Sequence, residues 1–262
     1  MSWIRILFRI PLLMAWSIFV ALLAAFCGIG GWSGIVRVTG CTSLWCRGLL
    51  RLTGIRLKVY GKMNVSGCLI ISNHTGYLDI PVHGALGRVR FASKKEVKYY
   101  PGLGLILASS RPIWIDRKKR SASRTALAEF RESLRHGVNL VVYPEGTTTD
   151  GLHGLLPFKS TAFEAVCETG EAIQPVITRT GPAADGFNVA WFGDQTMLPH
   201  LKRVLGLSGL DSRVYVLPVQ RALPGESRKQ LAERMHDLME SAGRVIDSGD
   251  AGAIDRLLSG RE

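Results

Sequence analysis

The stretch "NHTGYLD" (Asn73–Asp79) follows an apolar run and sets a histidine five residues ahead of an aspartate. A histidine at a strand end can act as a general base near neutral pH if a partner fixes its tautomer. Asp79 is the candidate partner. On one continuous helix, residues five apart lie roughly 500° around the axis and do not meet. His74 must therefore sit in a turn before the helix that carries Asp79, and Gly76 permits such a turn. With six histidines in the chain, an isolated H-x₄-D pair also arises readily by chance, so the pair needs support from elsewhere.

Two further stretches repeat the pattern. In "VVYPEGTTTD" an apolar run enters a turn holding Glu145, Gly146 and Thr147. A carboxylate there can accept from a hydroxyl, while Thr147 and the neighbouring amides can meet an anion or a carbonyl. The bland reading is an ordinary Pro-Glu-Gly turn. In "PIWIDRKKR" a strand-like run ends in Asp116 and Arg117, followed by Lys118, Lys119 and Arg120. One arginine at a strand end suits phosphate, and the basic run suits an acidic partner or a solvated, membrane-facing surface. No second histidine or cysteine stands at a ligand spacing from His74, which argues against a metal site.

The elements that must hold these stretches read as alternating strands and helices. Strands are expected from Ile55, over Cys68–Ser72, Val89–Ser93, Pro112–Asp116, Asn139–Pro144, Ala172–Thr178, Phe187–Gly193 and Arg213–Val219. Their apolar runs lack strict alternation, as in strands buried on both faces. A helix is expected from a cap at Ser123 to a stop at Gly137, another from Lys159 to Gly170, and a third from Glu226. The third has Leu231, Met235, Leu238 and Met239 on a core-facing stripe. The pattern is that of one α/β domain over residues 55–247 with a mixed, largely buried central sheet flanked by helices. Residues 248–262 read as a small polar tail that frays.

Composition points to a lipid surface. The chain of 262 residues carries 33 Lys+Arg against 21 Asp+Glu, a net charge of +12. Yet its mean hydropathy is +0.15. Basic and apolar together favour a membrane over nucleic acid, and no basic–aromatic recognition motif is present. Five cysteines without a C-x-x-C pair suit a reducing compartment. From Ile10 to Trp32 no residue is charged, and a helix of that length reaches roughly 35 Å, enough for a bilayer core. A secretory signal is the competing reading, but the run is long for one. Residues 1–54 are thus expected to anchor the chain. Either a single helix spans the membrane, or a hairpin enters and returns. In the hairpin, Val38–Gly54 would form an interfacial second helix with Leu44, Trp45, Leu49 and Leu50 facing lipid. Arginines and lysines after the run place the main body in the cytosol.

Taken in order, "NHTGYLD", "RPIWIDR", "YPEGT" and "IQPV" (Ile173–Val176) resemble the four blocks of the lysophosphatidic acid acyltransferase family of glycerolipid acyltransferases. The resemblance covers roughly residues 55–219. It implies a membrane-bound enzyme of the bacterial inner membrane with its catalytic domain on the cytosolic face. That enzyme would transfer an acyl chain from an acyl carrier protein or coenzyme A thioester to a lysolipid hydroxyl, without a bound cofactor. It implies His74 as the base and Asp79 as its orienting partner. Arg117 and Glu145 would bind the acceptor head group, with Asn73, Gly146 and Thr147 also contacting substrate. Amides after His74 are expected to serve the oxyanion, and Lys94, Lys95, Lys98 and the run to Arg120 to receive an acidic carrier protein. The family's arginine after P-E-G-T is Thr148 here, and Arg111 or Pro112 stands where the second block opens with glycine. With "WFGDQTMLPHL" (Trp191–Leu201), these departures resemble a bacterial branch that includes lyso-ornithine lipid acyltransferases. The acceptor is left open between lysophosphatidate and lyso-ornithine lipid. A non-catalytic membrane protein that kept the fold is the alternative.

Overall fold

A computed structural model describes residues 2–63, 66–99, 103–115 and 120–260. The chain opens with two helices, α1 (Ser2–Cys27) and α2 (Gly31–Thr53). Then follow β1 (Ile55–Tyr60), β2 (Leu69–Ser72), α3 (Asp79–Leu86), β3 (Val89–Lys94), α4 (Leu103–Ser109) and β4 (Ile113–Ile115). The second half holds α5 (Arg120–Arg135), β5 (Asn139–Val142), α6 (Phe163–Thr169), β6 (Ile173–Thr180), α7 (Met197–Gly206), β7 (Leu210–Val216), α8 (Arg228–Ser248) and α9 (Ala251–Ser259). Among the described residues the strands form one sheet of order β1-β7-β6-β2-β5-β3-β4. Only the β6–β7 pair is antiparallel, so the sheet is mixed and β2, β3, β5 and β6 all end on the same edge.

Both faces of the sheet are covered, which explains the unalternating strands. Leu69, Ile71, Leu140, Ile173 and Ile177 pack with α5, α6 and α8. Cys68, Ile70, Val141, Val176 and Val214 face α2, α3 and α7 through Leu50, Val82 and Val204. Each such side chain, fully buried, contributes about 1.5–3 kcal/mol. Leu231, Met235 and Met239 of α8 lie in that core, with Leu238 beside it. A capping box between Ser227 and Gln230 starts α8, and Gly249 in the left-handed region ends it.

Three local expectations fail. Phe187–Gly193 is an extended loop rather than a strand. Its backbone bonds go to Thr75 and to its own neighbours rather than to a sheet edge. Helix α5 begins at Arg120, so Ser123 lies inside it and is not its cap. The stretch after Asp247 forms α9, capped by the Asp250 side chain accepting from the Ala253 amide. Ile254, Leu257 and Leu258 of α9 pack on the core.

The N-terminal helices form a hairpin that turns at Gly30 and Gly31, both at positive φ. Trp16 donates to the Trp45 carbonyl at 3.1 Å, and Trp45 donates to Ser17 Oγ at 2.9 Å. Helix α2 starts well before Val38. Leu50 is buried against the sheet and Trp45 faces α1, so of the four residues expected to face lipid only Leu44 is exposed. The apolar face instead belongs to α1, where Trp3, Leu7, Phe8, Leu22 and Phe26 stand exposed. Trp3–Cys27 is long and apolar enough to cross a bilayer.

Both ends of α1 nonetheless touch the globular body. Arg5 donates to the Gly206 carbonyl at 3.0 Å, and Arg9 to Leu205 and Leu207 at 2.8 and 2.6 Å. These carbonyls close the negative end of α7, where cations are favoured. At the other end the Arg111 guanidinium lies against Gly28. The two helices thus form a hairpin packed on the body at both ends of α1. In sealed vesicles, cysteines placed at Ile4 and at Lys229, in a background without the native cysteines, should label from the same side. Protection of the Ile4 position alone would show that α1 crosses.

Candidate active site

Strand β2 delivers the chain to the edge where four strands end, and the next residues do not continue it. Asn73 turns aside: its side-chain amide donates to the Thr178 carbonyl at 3.1 Å and accepts from the Thr178 amide at 2.8 Å. Asn73 thus forms a false rung of the sheet against β6. It is 2 % exposed and its amide is committed to the backbone, a different task from the substrate contact expected of it.

His74 follows, outside the helix, and its Nδ1 lies 2.8 Å from Oδ2 of Asp79, the first residue of α3. The same oxygen accepts from the amides of Thr75 and Gly76 at 2.7 and 3.0 Å, and Oδ1 accepts from Thr75 Oγ1 at 3.2 Å. Burial pushes the Asp79 carboxyl pKa up. The hydrogen bond and charge of His74, with the Gly76 amide, outweigh it and hold the pKa below the ordinary carboxylate value. An ionised carboxylate only accepts, so Nδ1 carries a proton, and in the neutral imidazole Nε2 is then the nitrogen with the lone pair. None of the described residues bonds Nε2. The amides of Thr75 and Gly76 are spent on Asp79.

Glu145 clamps the turn from β5. It accepts from the His74 amide at 2.9 Å and from the Leu156 amide at 3.1 Å, one with each carboxylate oxygen. The Thr149 amide donates to the His74 carbonyl at 2.9 Å. Glu145 is 3 % exposed, and both its oxygens hold the backbone around His74. Its pKa is raised, by burial first and by the Asp79 charge, against the lowering effect of the two amides and of His74. Gly146 adopts φ +74°, and the Lys159 ammonium lies where its side chain would be. Thr147 is exposed at the lip of the turn. Arg117 and its neighbours Asp116, Lys118 and Lys119 lie outside the described residues. Lys94, Lys95 and Lys98 are exposed on and after β3, at the same sheet edge as His74.

Several neighbours of His74 were not expected. Tyr143 stacks on its imidazole with ring centroids 3.9 Å apart and planes 11° from parallel. His83, fully buried on α3, bonds the Tyr143 hydroxyl. It stands four residues after Asp79, a helical spacing that could have drawn attention to it. Lys159 carried no such signal. The Trp191 amide donates to the Thr75 carbonyl at 2.7 Å, which sets the "WFGDQTMLPHL" segment beside the site as a rim. His200 is buried and bonded to the Tyr77 hydroxyl at 2.8 Å, a structural role.

This arrangement can take a proton from a hydroxyl at Nε2 and stabilise the resulting imidazolium with Asp79. His74→Ala should lower kcat by roughly 10²–10⁴-fold in a folded protein. Asp79→Asn should cost a comparable factor by offering the wrong tautomer. The depressed Asp79 pKa also sets a sign. Its charge stabilises the fold above the ordinary carboxylate range, about pH 4. That contribution is lost as pH falls through the lower folded value. Thermal unfolding of Asp79→Asn against pH should therefore show a flatter acid limb than the parent.

Comparison with known proteins agrees with this geometry. The Acyltransferase family model matches residues 56–179. A lyso-ornithine lipid O-acyltransferase from Brucella abortus is 35 % identical over 218 residues, covering 75 % of this chain and 81 % of that one. A 1-acyl-sn-glycerol-3-phosphate acyltransferase from Neisseria meningitidis is 29 % identical, over 78 % and 80 % of the two chains. The crystal structure of the 1-acyl-sn-glycerophosphate acyltransferase from Thermotoga maritima superposes with a TM-score of 0.64 over 94 % of this chain and 98 % of that one. At 19 % identity it speaks for the fold. With the Brucella relative matched over most of both chains, and the family model spanning the turns that hold His74 and Glu145, this chain belongs to the acyltransferase family.

Proposed function

We propose that the enzyme acylates the hydroxyl of a lyso-ornithine-type lipid, taking the acyl group from an acyl carrier protein or coenzyme A thioester. His74 Nε2 accepts the hydroxyl proton as the oxygen attacks the thioester carbonyl. The new C–O bond forms, the C–S bond breaks, and the thiolate leaves with the proton returned by the imidazolium. The thioester is already activated, so base, positioning and charge stabilisation supply the rate. Asp79 orients the base, and Arg117 and Thr147 take the head-group side. Exposed Lys94, Lys95 and Lys98 at the site's edge suit an acidic carrier protein better than a free nucleotide thioester. The apolar face of α1 suits a site held at the surface of the bacterial inner membrane, on the cytosolic side.

A cavity beside the catalytic turn carries the choice of acceptor. It has a volume of about 290 Å³, and Asn73, Thr149, Arg179, Glu240, Arg244 and Asp247 are among its lining residues. Its charges are mixed. Arg179 holds Asp247 by two bonds of 2.8 and 2.9 Å, and Arg244 lies 3.6 Å from Glu240. A head group with one carboxylate and one ammonium can exchange into such pairs, whereas a phosphate meets carboxylates there. Thr148 removes the cation that the family carries beside P-E-G-T, and the Brucella relative is named for the same acceptor.

Purified protein offered both lysolipids with each thioester should prefer lyso-ornithine lipid at least tenfold in kcat/KM. Arg179→Met should raise KM for that acceptor severalfold with little change in kcat. A preference for lysophosphatidate would overturn the reading.

A further inference from the structure

The residues beneath His74 form a second hydrogen-bonded system that the reaction itself does not use. Tyr143 directly follows β5 and lays its ring flat on the imidazole of His74. Its hydroxyl lies 2.9 Å from Nδ1 of His83. On the other side of His83, Nε2 lies 2.8 Å from Thr178 Oγ1 and 3.2 Å from Ser72 Oγ. His83, Ser72 and Thr178 are each at most 1 % exposed. Ser72 and Thr178 belong to β2 and β6, whose backbones pair in the sheet. The Tyr143 hydroxyl is thereby tied, through one imidazole, to the most rigid part of the molecule.

The partners of His83 are all hydroxyls, which can donate or accept, so a neutral imidazole in either tautomer is bonded at both nitrogens. Burial lowers the His83 pKa to about 4, with the Asp79 charge opposing and the His74 charge reinforcing the shift. A neutral His83 also leaves the Asp79 charge to His74.

We propose that Tyr143 and His83 are positioning residues for the catalytic base: the tyrosine ring fixes the plane of His74, and His83 fixes the ring. An imidazole bonded at Nδ1 alone can still swing about that bond. Stacking removes the swing and holds Nε2 on the line of attack, and small misplacements of a reacting group cost rate out of proportion to their size. The proposal rests on His74 being the base.

The test is steady-state kinetics on folded variants, with His74→Ala alongside. Tyr143→Leu removes the stack and should lower kcat by roughly tenfold or more, with KM for both substrates within twofold of the parent. His83→Leu leaves the tyrosine hydroxyl buried without a partner and should also lower kcat. Adding Tyr143→Phe to His83→Leu removes the orphaned tyrosine hydroxyl beneath His74 and should restore part of it, the loss at Ser72 and Thr178 being common to both variants. If His74→Ala is inactive while Tyr143→Leu keeps the parent kcat, the positioning role is overturned. If the double variant is no better than His83→Leu, the coupling through His83 is overturned. If His74→Ala itself stays active, the base assignment fails first. A purely structural role would lower the melting temperature of these variants and leave kcat per folded molecule unchanged.

Discussion

The structure of the site depends on one buried carboxylate. Asp79 is 1 % exposed and ionised, and a charge in that position must be surrounded by donors. The donors come from His74, Thr75 and Gly76, in the turn that leads into α3. Satisfying one carboxylate therefore folds the turn and aims the histidine in the same step. It also consumes the amides of Thr75 and Gly76. Glu145 applies the same logic from the other side, with its two oxygens locking the His74 amide to the loop at Leu156. The Asp79 charge opposes ionisation of Glu145, whereas His74 favours the charged form of both carboxylates.

The sheet makes this local arrangement rigid. Four strands end on the edge where the turn sits, and Asn73 extends the pairing by one false rung to Thr178. The strands are buried on both faces, so sliding one past its neighbour would expose apolar surface on two sides. Loops that approach the turn, from Thr149 and from Trp191, bind its carbonyls rather than its side chains. They hold the backbone and leave Nε2 of His74 open. The hairpin of α1 and α2 then joins this frame to an apolar outer surface, through α2 on the sheet and through Arg5 and Arg9 on α7.

The sequence was most legible where a local rule acts over a few residues. The strand end at Ser72 was visible because an apolar run stops abruptly at a polar turn, while the strand expected to Pro144 stops two residues earlier, at Val142. The five-residue separation of His74 and Asp79 excluded a shared helix by geometry alone, and α3 does begin at Asp79. The core stripe of α8 followed from helical spacing, and the α/β class from the alternation of elements. Phe187–Gly193 was misread because β propensity does not say whether a sheet edge is available. At the far C-terminus, α9 was missed because its few apolar residues become a helix face only once α8 and the core are there to receive them.

What the sequence determined by itself was the chemistry on offer: a histidine and an aspartate in a fixed order before a turn holding a glutamate, in a basic chain with an apolar leading segment. Those are matters of residue type and short spacing, and they survive without a fold. The tertiary structure alone decided how the polar groups were spent. Asn73 went to a strand, Glu145 to a backbone clamp, the early amides to Asp79, and His83 to the hydroxyl of Tyr143, a residue 60 positions away. Long-range pairing settles such assignments, because a buried polar group must take the partner that the packed core places beside it.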